Sequence, residues 1–274
     1  MTPETISKLI FINRQFYQTF AKEFDATRQR IQPGVARVLD LIPADARILD
    51  LGCGNGEVAR ELARRGFAGA YVGVDFSEGL ITAARRELPE RGDWRLEIRD
   101  LTLMDWDAGL EGPFDVVLAF AVLHHLPSPF HAEVLRKVCG LLTEPHPSTV
   151  VFPFPKPQGN TSAQDASDAP TPHPPISPSH FPLFIFSNWQ FLHSPRWIAR
   201  IQPWERVGLT AADLAPNDYL LDWRRGGEGL RYIHHFTRPE LTTLAAETGF
   251  EVIEIFESDG AEGNLGLYQV WRPK

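Results

Sequence analysis

The 274 residues are 43% hydrophobic and 23% charged, with a formal net charge of −8. That is an ordinary globular balance, and its sign argues against broad nonspecific attraction to nucleic acid, which depends on basic side chains releasing counterions. Two cysteines, Cys53 and Cys139, exclude a disulfide framework or a cysteine-rich zinc site. No apolar run reaches membrane-spanning length, and Met1–Thr5 lacks the basic and apolar parts of a signal peptide, so a cytoplasmic chain with no membrane partner is expected.

In chain order, Ile6, Leu9, Ile10, Phe16, Tyr17, Phe20 and Phe24 recur at three- and four-residue steps, which predicts an amphipathic helix. A second helix is predicted from Pro33 to Leu41, closed by Pro43. The stretch Ile48 to Glu57 then reads as strand, tight turn and helix, with Asp50-x-Gly52-x-Gly54-x-Gly56 in the turn. Glycines there admit positive φ and let a ligand approach the backbone, and ligands of open α/β sheets lie at the carboxyl ends of the strands. A dinucleotide fingerprint requires a third glycine where Glu57 stands, so that ligand class does not fit.

Tyr71 to Asp75 is a second apolar strand ending in an acid, and an acid there can accept hydrogen bonds from ribose hydroxyls. Phe76 or Ser77 can flank a base, although Ser77 also suits the cap of a helix starting at Glu78. Trp94 to Arg99 alternates as a third strand and delivers Asp100 and Leu101; Phe114 to Phe120, with Ala119 near its end, is nearly continuously apolar, as a covered central strand is. Its mouth carries His124 and His125, each open to a role as base or as hydrogen-bonded structure. A helix through Val134, Leu135, Val138, Leu141 and Leu142 and a fifth strand through Val150 and Phe154 follow.

From Pro153 to Pro182 nine prolines stand among small polar residues, a composition that predicts a mobile insertion. Phe181, Phe184, Phe186, Trp189, Phe191, Trp197 and Trp204 come next, with two readings open: a lid, or additions to the core. A helix from Arg238 to Thr248, stopped by Gly249, and a hairpin of strands Glu251 to Glu257 and Leu265 to Arg272 end the sequence.

The Asp50, Gly52, Gly54, Gly56 turn resembles the first motif of class I S-adenosylmethionine (SAM)-dependent methyltransferases. The resemblance implies SAM as cofactor, and an α/β fold with a Rossmann-like, seven-stranded, mostly parallel sheet, an antiparallel last strand and helices on both faces. Residues 1–152 would form the N-terminal helices and SAM-binding core, 153–182 the insertion, 183–236 an aromatic lid or substrate-side elaboration, and 237–274 the end of the sheet. It implies that Tyr17 folds over the cofactor, that Asp50 meets the methionine amine on the turn of Gly52, Cys53, Gly54 and Gly56, that Asp75 and Phe76 meet the ribose and adenine, and that Asp100, Leu101 and Ala119 complete the pocket. His124 and His125 would lie beside the transferred methyl group. No metal is implied.

Two flanks are similar to one branch, the tRNA wobble-uridine methyltransferases that esterify 5-carboxymethyluridine. The matches are Tyr17 with Glu23-Phe24-Asp25-Ala26-Thr27-Arg28, the run Arg231-Tyr232-Ile233-His234-His235-Phe236 before Pro239-Glu240-Leu241, Asn217-Asp218-Tyr219-Leu220-Leu221-Asp222-Trp223, and Gly263-Asn264. This similarity implies Arg28, Arg231, Tyr232 and His234 as substrate-side or catalytic residues. Against a tRNA partner, Trp189 to Glu240 holds seven Arg and six acids, no evident basic face, so an accessory subunit would have to supply one. A small-molecule O- or N-methyltransferase and a catalytically silent SAM-binding scaffold are the rival readings.

Overall fold

The computed structural model describes residues 1–26, 30–88, 93–142 and 181–274. Arg28, the strand expected through Val150 and Phe154, and the insertion as far as residue 180 lie outside them. Three short runs organise the centre: β1 (Ile48–Leu51), β2 (Tyr71–Asp75) and β4 (Val116–Phe120), with β3 (Trp94–Ile98) at one edge. Every residue of β1 and β2 is buried, as strands covered on both faces require.

The strand beside β4 is β5 (Leu183–Trp189), parallel to it with Val117 opposite Phe184. The sequence reading put the fifth strand about thirty residues earlier and left Phe184 and Phe186 between a lid and additions to the core; both are core, fully buried in the central sheet, their rings stacked 4.7 Å apart and flanking Trp271. Then β9 (Phe250–Ser258) and β10 (Gly266–Pro273) form the hairpin, and β10 inserts antiparallel between β5 and β9. The strand order is β3-β2-β1-β4-β5-β10-β9, the expected seven-stranded sheet with an antiparallel last strand.

Helices cover both faces. On one, α3 (Pro33–Leu39) and α4 (Glu57–Arg64) pack Val38, Ala59 and Leu62 on Ile48 and Val116. On the other, α6 (Ser128–Leu141) and α8 (Arg238–Glu247) pack Leu135, Val138 and Leu241 on Leu49 and Val117. Between β2 and β3 runs α5 (Glu78–Glu87), capped by Ser77, whose hydroxyl accepts from Leu80 N at 3.4 Å. The chain order reverses between β1 and β4, so the crevice at their carboxyl ends is where such a sheet holds a ligand.

The N-terminal segment is two helices, α1 (Pro3–Thr19) and α2 (Ala21–Asp25), broken at Phe20. A short helix α7 (Pro195–Ile198) leads to a second, antiparallel sheet of β6 (Ile201–Gln202), β7 (Asp218–Trp223) and β8 (Gly229–His234). The proposed 183–236 unit is thus divided: its first strand belongs to the main sheet, the rest to this accessory sheet. Leu9 and Ile12 of α1 pack on Leu220 and Tyr232.

Asn13 fixes that contact. Buried, it donates to the carbonyls of His125 and Tyr232, each at 3.0 Å, and accepts from Tyr232 N at 2.8 Å. Asn13→Ala leaves three buried backbone groups without this partner and is expected to lower unfolding free energy by about 3 kcal/mol, read as a lower urea midpoint at unchanged slope.

Candidate functional site

The turn after β1 is stitched to the end of β2. Cys53 N donates to Val74 O at 3.0 Å, and Gly54 N to Asp75 Oδ2 at the same distance. Gly54 has φ +55°, and a Cβ there would meet no atom within 4 Å because it would point into a cavity of about 170 Å³. The bare backbone is itself the cavity floor. Gly56 is different: at φ +76° its missing Cβ would stand 3.0 Å from Ala84 Cβ. It lets α5 approach the turn.

Asp50 and Asp75 supply the buried charge. Asp50 is 2% exposed and accepts from Tyr71 Oη at 2.6 Å; burial raises its pKa to about 7, against the Tyr71 hydrogen bond and with help from the charge of Asp75. Asp75 accepts from Gly54 N and, at 2.8 Å, from Ser77 N, yet burial still raises it to about 6. Between them the Cys53 thiol is pushed far up by burial and by both carboxylates, which makes it chemically inert.

Around this floor, Phe76 meets Tyr17 edge-on at 5.7 Å, and Gly52 and Leu101 also line the cavity. Asp100 stands on the wall with its carboxylate already engaged: Oδ2 accepts from Arg14 Nε at 2.9 Å, and Oδ1 accepts from Thr102 N at 2.9 Å and Thr102 Oγ1 at 2.6 Å. Ala119 is corrected: fully buried, it faces the apolar core, and the cavity is lined instead by the next residues, Phe120 and Ala121. Strand alternation and the left-handed Ala121 (φ 58°) account for the offset.

A larger cavity of about 830 Å³ adjoins the first and shares Tyr17, Ala121 and His125 with it. Tyr17 Oη lies 2.8 Å from His125 Nε2, and His125 Nδ1 lies 3.4 Å from Tyr232 O. A carbonyl only accepts, so Nδ1 carries the hydrogen and Nε2 accepts from the phenol. His124 is 1% exposed, lines the larger cavity and accepts at Nδ1 from Trp189 N at 3.4 Å.

The strand β8 separates the other expected residues. Arg231 lies on the larger cavity, with its guanidinium 5.0 to 5.4 Å from the rings of Phe16, Trp189 and Trp223. Tyr232 and His234, expected on the substrate side, alternate to the opposite face and line neither cavity. Tyr232 Oη donates to Asp218 Oδ1 at 2.8 Å; His234 donates from Nδ1 to Asp218 and from Nε2 to Glu240, each at 2.7 Å. Burial opposes charge on His234, but the two carboxylates outweigh it and raise its pKa to about 9. His131, His234 and Glu240 bring ligand-type atoms within 4.8 Å of one another, yet both His234 nitrogens are committed to carboxylates, so this is a structural clamp between β7, β8 and α8. The sequence reading missed Arg14, Asn13 and four further arginines of the larger cavity; the even count of charges in Trp189 to Glu240 hid the arginines.

The residues of the smaller cavity fit SAM: an open backbone cradle at Gly54 and two desolvated carboxylates suit a ligand with a cationic amine and vicinal hydroxyls. A model described as a methyltransferase domain matches residues 48–144. A ubiquinone biosynthesis O-methyltransferase of Stutzerimonas stutzeri is 33% identical over 102 residues, 37% of this chain and 41% of that protein, so the match spans less than half the length of this relative. Among solved structures, a SAM-dependent methyltransferase of Methanosarcina mazei superposes with TM-score 0.57 at 18% identity, covering 89% of this chain and 98% of the other. A 1,6-didemethyltoxoflavin N1-methyltransferase of Burkholderia thailandensis gives 0.57 at 16% identity, covering 100% and 91%. At these identities the structural likenesses establish the fold.

Two measurements follow from these charges. A cationic ligand beside Asp50 favours its ionised form, so SAM is expected to release protons on binding and to lose affinity as pH falls below about 7. Calorimetry in buffers of different ionisation enthalpy reads this, and binding without proton release separates Asp50 from the amine. His234, raised to about 9, contributes stability that is complete below its ordinary value of 6.5 and is lost as pH rises through 9. The thermal midpoint should fall across that window, and His234→Gln should flatten that part of the profile.

Proposed function

We propose that this chain, whose residues 48–144 form a class I SAM-dependent methyltransferase domain, transfers a methyl group to a hydroxyl of a small molecule held in the larger cavity. One observation carries the reading: the two cavities share a wall of Tyr17, Gln32, Val35, Phe120, Ala121 and His125, in which Tyr17 and His125 are hydrogen-bonded to each other. A cofactor seated on the glycine turn and an acceptor in the larger cavity would face each other across that pair.

Bound SAM supplies an electrophilic methyl group. The protein's part is alignment and a dry site. The Gly54 backbone and Asp75 would hold the ribose end, and Asp50 would hold the amine. The acceptor's hydroxyl gives its proton to Tyr17 Oη as the phenol passes its own to His125 Nε2, while the Nδ1 hydrogen remains on the Tyr232 carbonyl. Tyr17 holds the imidazole edge, and Asn13, bonded to the carbonyl of His125, fixes the turn that carries it.

A small acceptor is favoured over a wobble uridine for three reasons. Tyr232 and His234, two residues on which the tRNA reading leaned, belong to a buried clamp, the acceptor space is a cavity walled by indoles, and relatives matching the core are named for O-methylation in ubiquinone biosynthesis. Incubation with methyl-labelled SAM and separate pools of metabolite extract and total tRNA is expected to label the metabolite pool. Label confined to tRNA contradicts the reading, and no label in either pool favours a silent scaffold. His125→Ala is expected to slow labelling about 100-fold while SAM affinity stays within about threefold, a separation a purely structural histidine would not give.

A further inference from the structure

The larger cavity has a charge the chain as a whole does not. Arg196, Arg200, Arg224, Arg225 and Arg231 line it, against one carboxylate, Asp259. Both Asp259 oxygens are engaged, Oδ1 by Gly34 N at 2.9 Å and Oδ2 by Tyr268 Oη at 2.6 Å. Of the acids of the accessory sheet, Asp218 sits in the His234 clamp, while Asp222 pairs with two of the wall arginines, accepting from Arg224 at 2.6 Å and from Arg200 at 3.3 Å. One buried carboxylate thus positions two guanidinium groups and leaves the wall in positive excess.

Aromatic rings cover the guanidinium groups of the wall. Arg231 is 5% exposed and packed among Phe16, Trp189 and Trp223, and Arg196 and Arg200 lie 5.3 and 5.8 Å from the Trp197 ring. Ring faces stabilise a guanidinium through their quadrupole, and its planar fork remains suited to a carboxylate, sulfonate or phosphate. Flat indoles alternating with flat cations make a slot for a planar anion, and the cavity has the volume of ordinary small-molecule sites. None of these arginines borders the smaller cavity.

We propose that the acceptor is a small aromatic or conjugated acid, anchored through its anionic group by this arginine and tryptophan wall while its hydroxyl reaches the pair of Tyr17 and His125. This deepens the methyl-transfer reading and rests on it for the role of the hydroxyl. The anion site itself stands on the wall's composition.

The test uses two probes of the same shape, 8-anilinonaphthalene-1-sulfonate and its uncharged counterpart N-phenyl-1-naphthylamine, titrated against the full chain and read by probe emission and quenching of tryptophan. The sulfonate is expected to bind at one site, about tenfold more tightly than the neutral probe. Arg231→Met should weaken it about tenfold or more, and the exposed Arg196→Gln and Arg225→Gln, which put the fold at little risk, by about threefold each. Arg206→Gln, outside the wall, should leave it unchanged, and the neutral probe should ignore all four substitutions. Equal affinity for the two probes, absence of sulfonate binding, or indifference to all three wall substitutions overturns the proposal, as does displacement of the sulfonate by total tRNA but not by benzoate-type acids. SAM affinity is measured in parallel. Its absence beside arginine-dependent sulfonate binding would refute the methyl-transfer reading and leave the anion site standing.

Discussion

The hydrogen bond from Gly54 N to the Asp75 carboxylate is the constraint on which the site depends. It ties the turn leaving β1 to the last residue of β2, in a register already set by Leu51 opposite Val74. The turn closes only because its glycines take positive φ, and the same conformation leaves Gly54 bare to the cavity. Desolvation of Asp75, and of Asp50 one strand away, is unfavourable to their ionised forms, as their raised pKa values record. A cofactor that brings a cation and hydroxyl donors would offset that cost.

Over this floor the roof is assembled from distant segments. Asn13 binds the His125 turn to β8, and Tyr17, one helical turn on, meets His125 itself. One helix therefore holds the cofactor cavity, the histidine and the accessory sheet in a common frame. The alternation of β8 then divides its residues between two faces: Arg231 lines the larger cavity, while Tyr232 and His234 face the clamp with Asp218 and Glu240. A motif that is contiguous in sequence serves recognition on one face and stability on the other.

The parts legible in the sequence were those whose logic is local. An acid and alternating glycines between a strand and a helix located the turn, an apolar run ending in an acid located Asp75, and a capped helix before a hairpin gave the end of the sheet. What was not legible depended on partners far along the chain. The strand Leu183–Trp189 lies beyond a proline-rich stretch, and nothing in Phe184 or Phe186 says that both faces of the strand are covered rather than one. Gly56 looked like its neighbours in the turn, but its reason is Ala84, nearly thirty residues on. The arginine wall was hidden because a count of charges cannot see that Asp218 is used inside the accessory sheet while five arginines converge on one cavity.

The central claim is that cofactor and acceptor meet across Tyr17 and His125, with the glycine turn as the cofactor's seat. A crystal structure with S-adenosylhomocysteine, the product of transfer, tests it most directly. The account predicts the ribose hydroxyls on Asp75, the amine toward Asp50, and the sulfur at the junction of the two cavities. A product bound with its ribose away from Asp75, or with its sulfur facing away from the larger cavity, would contradict it.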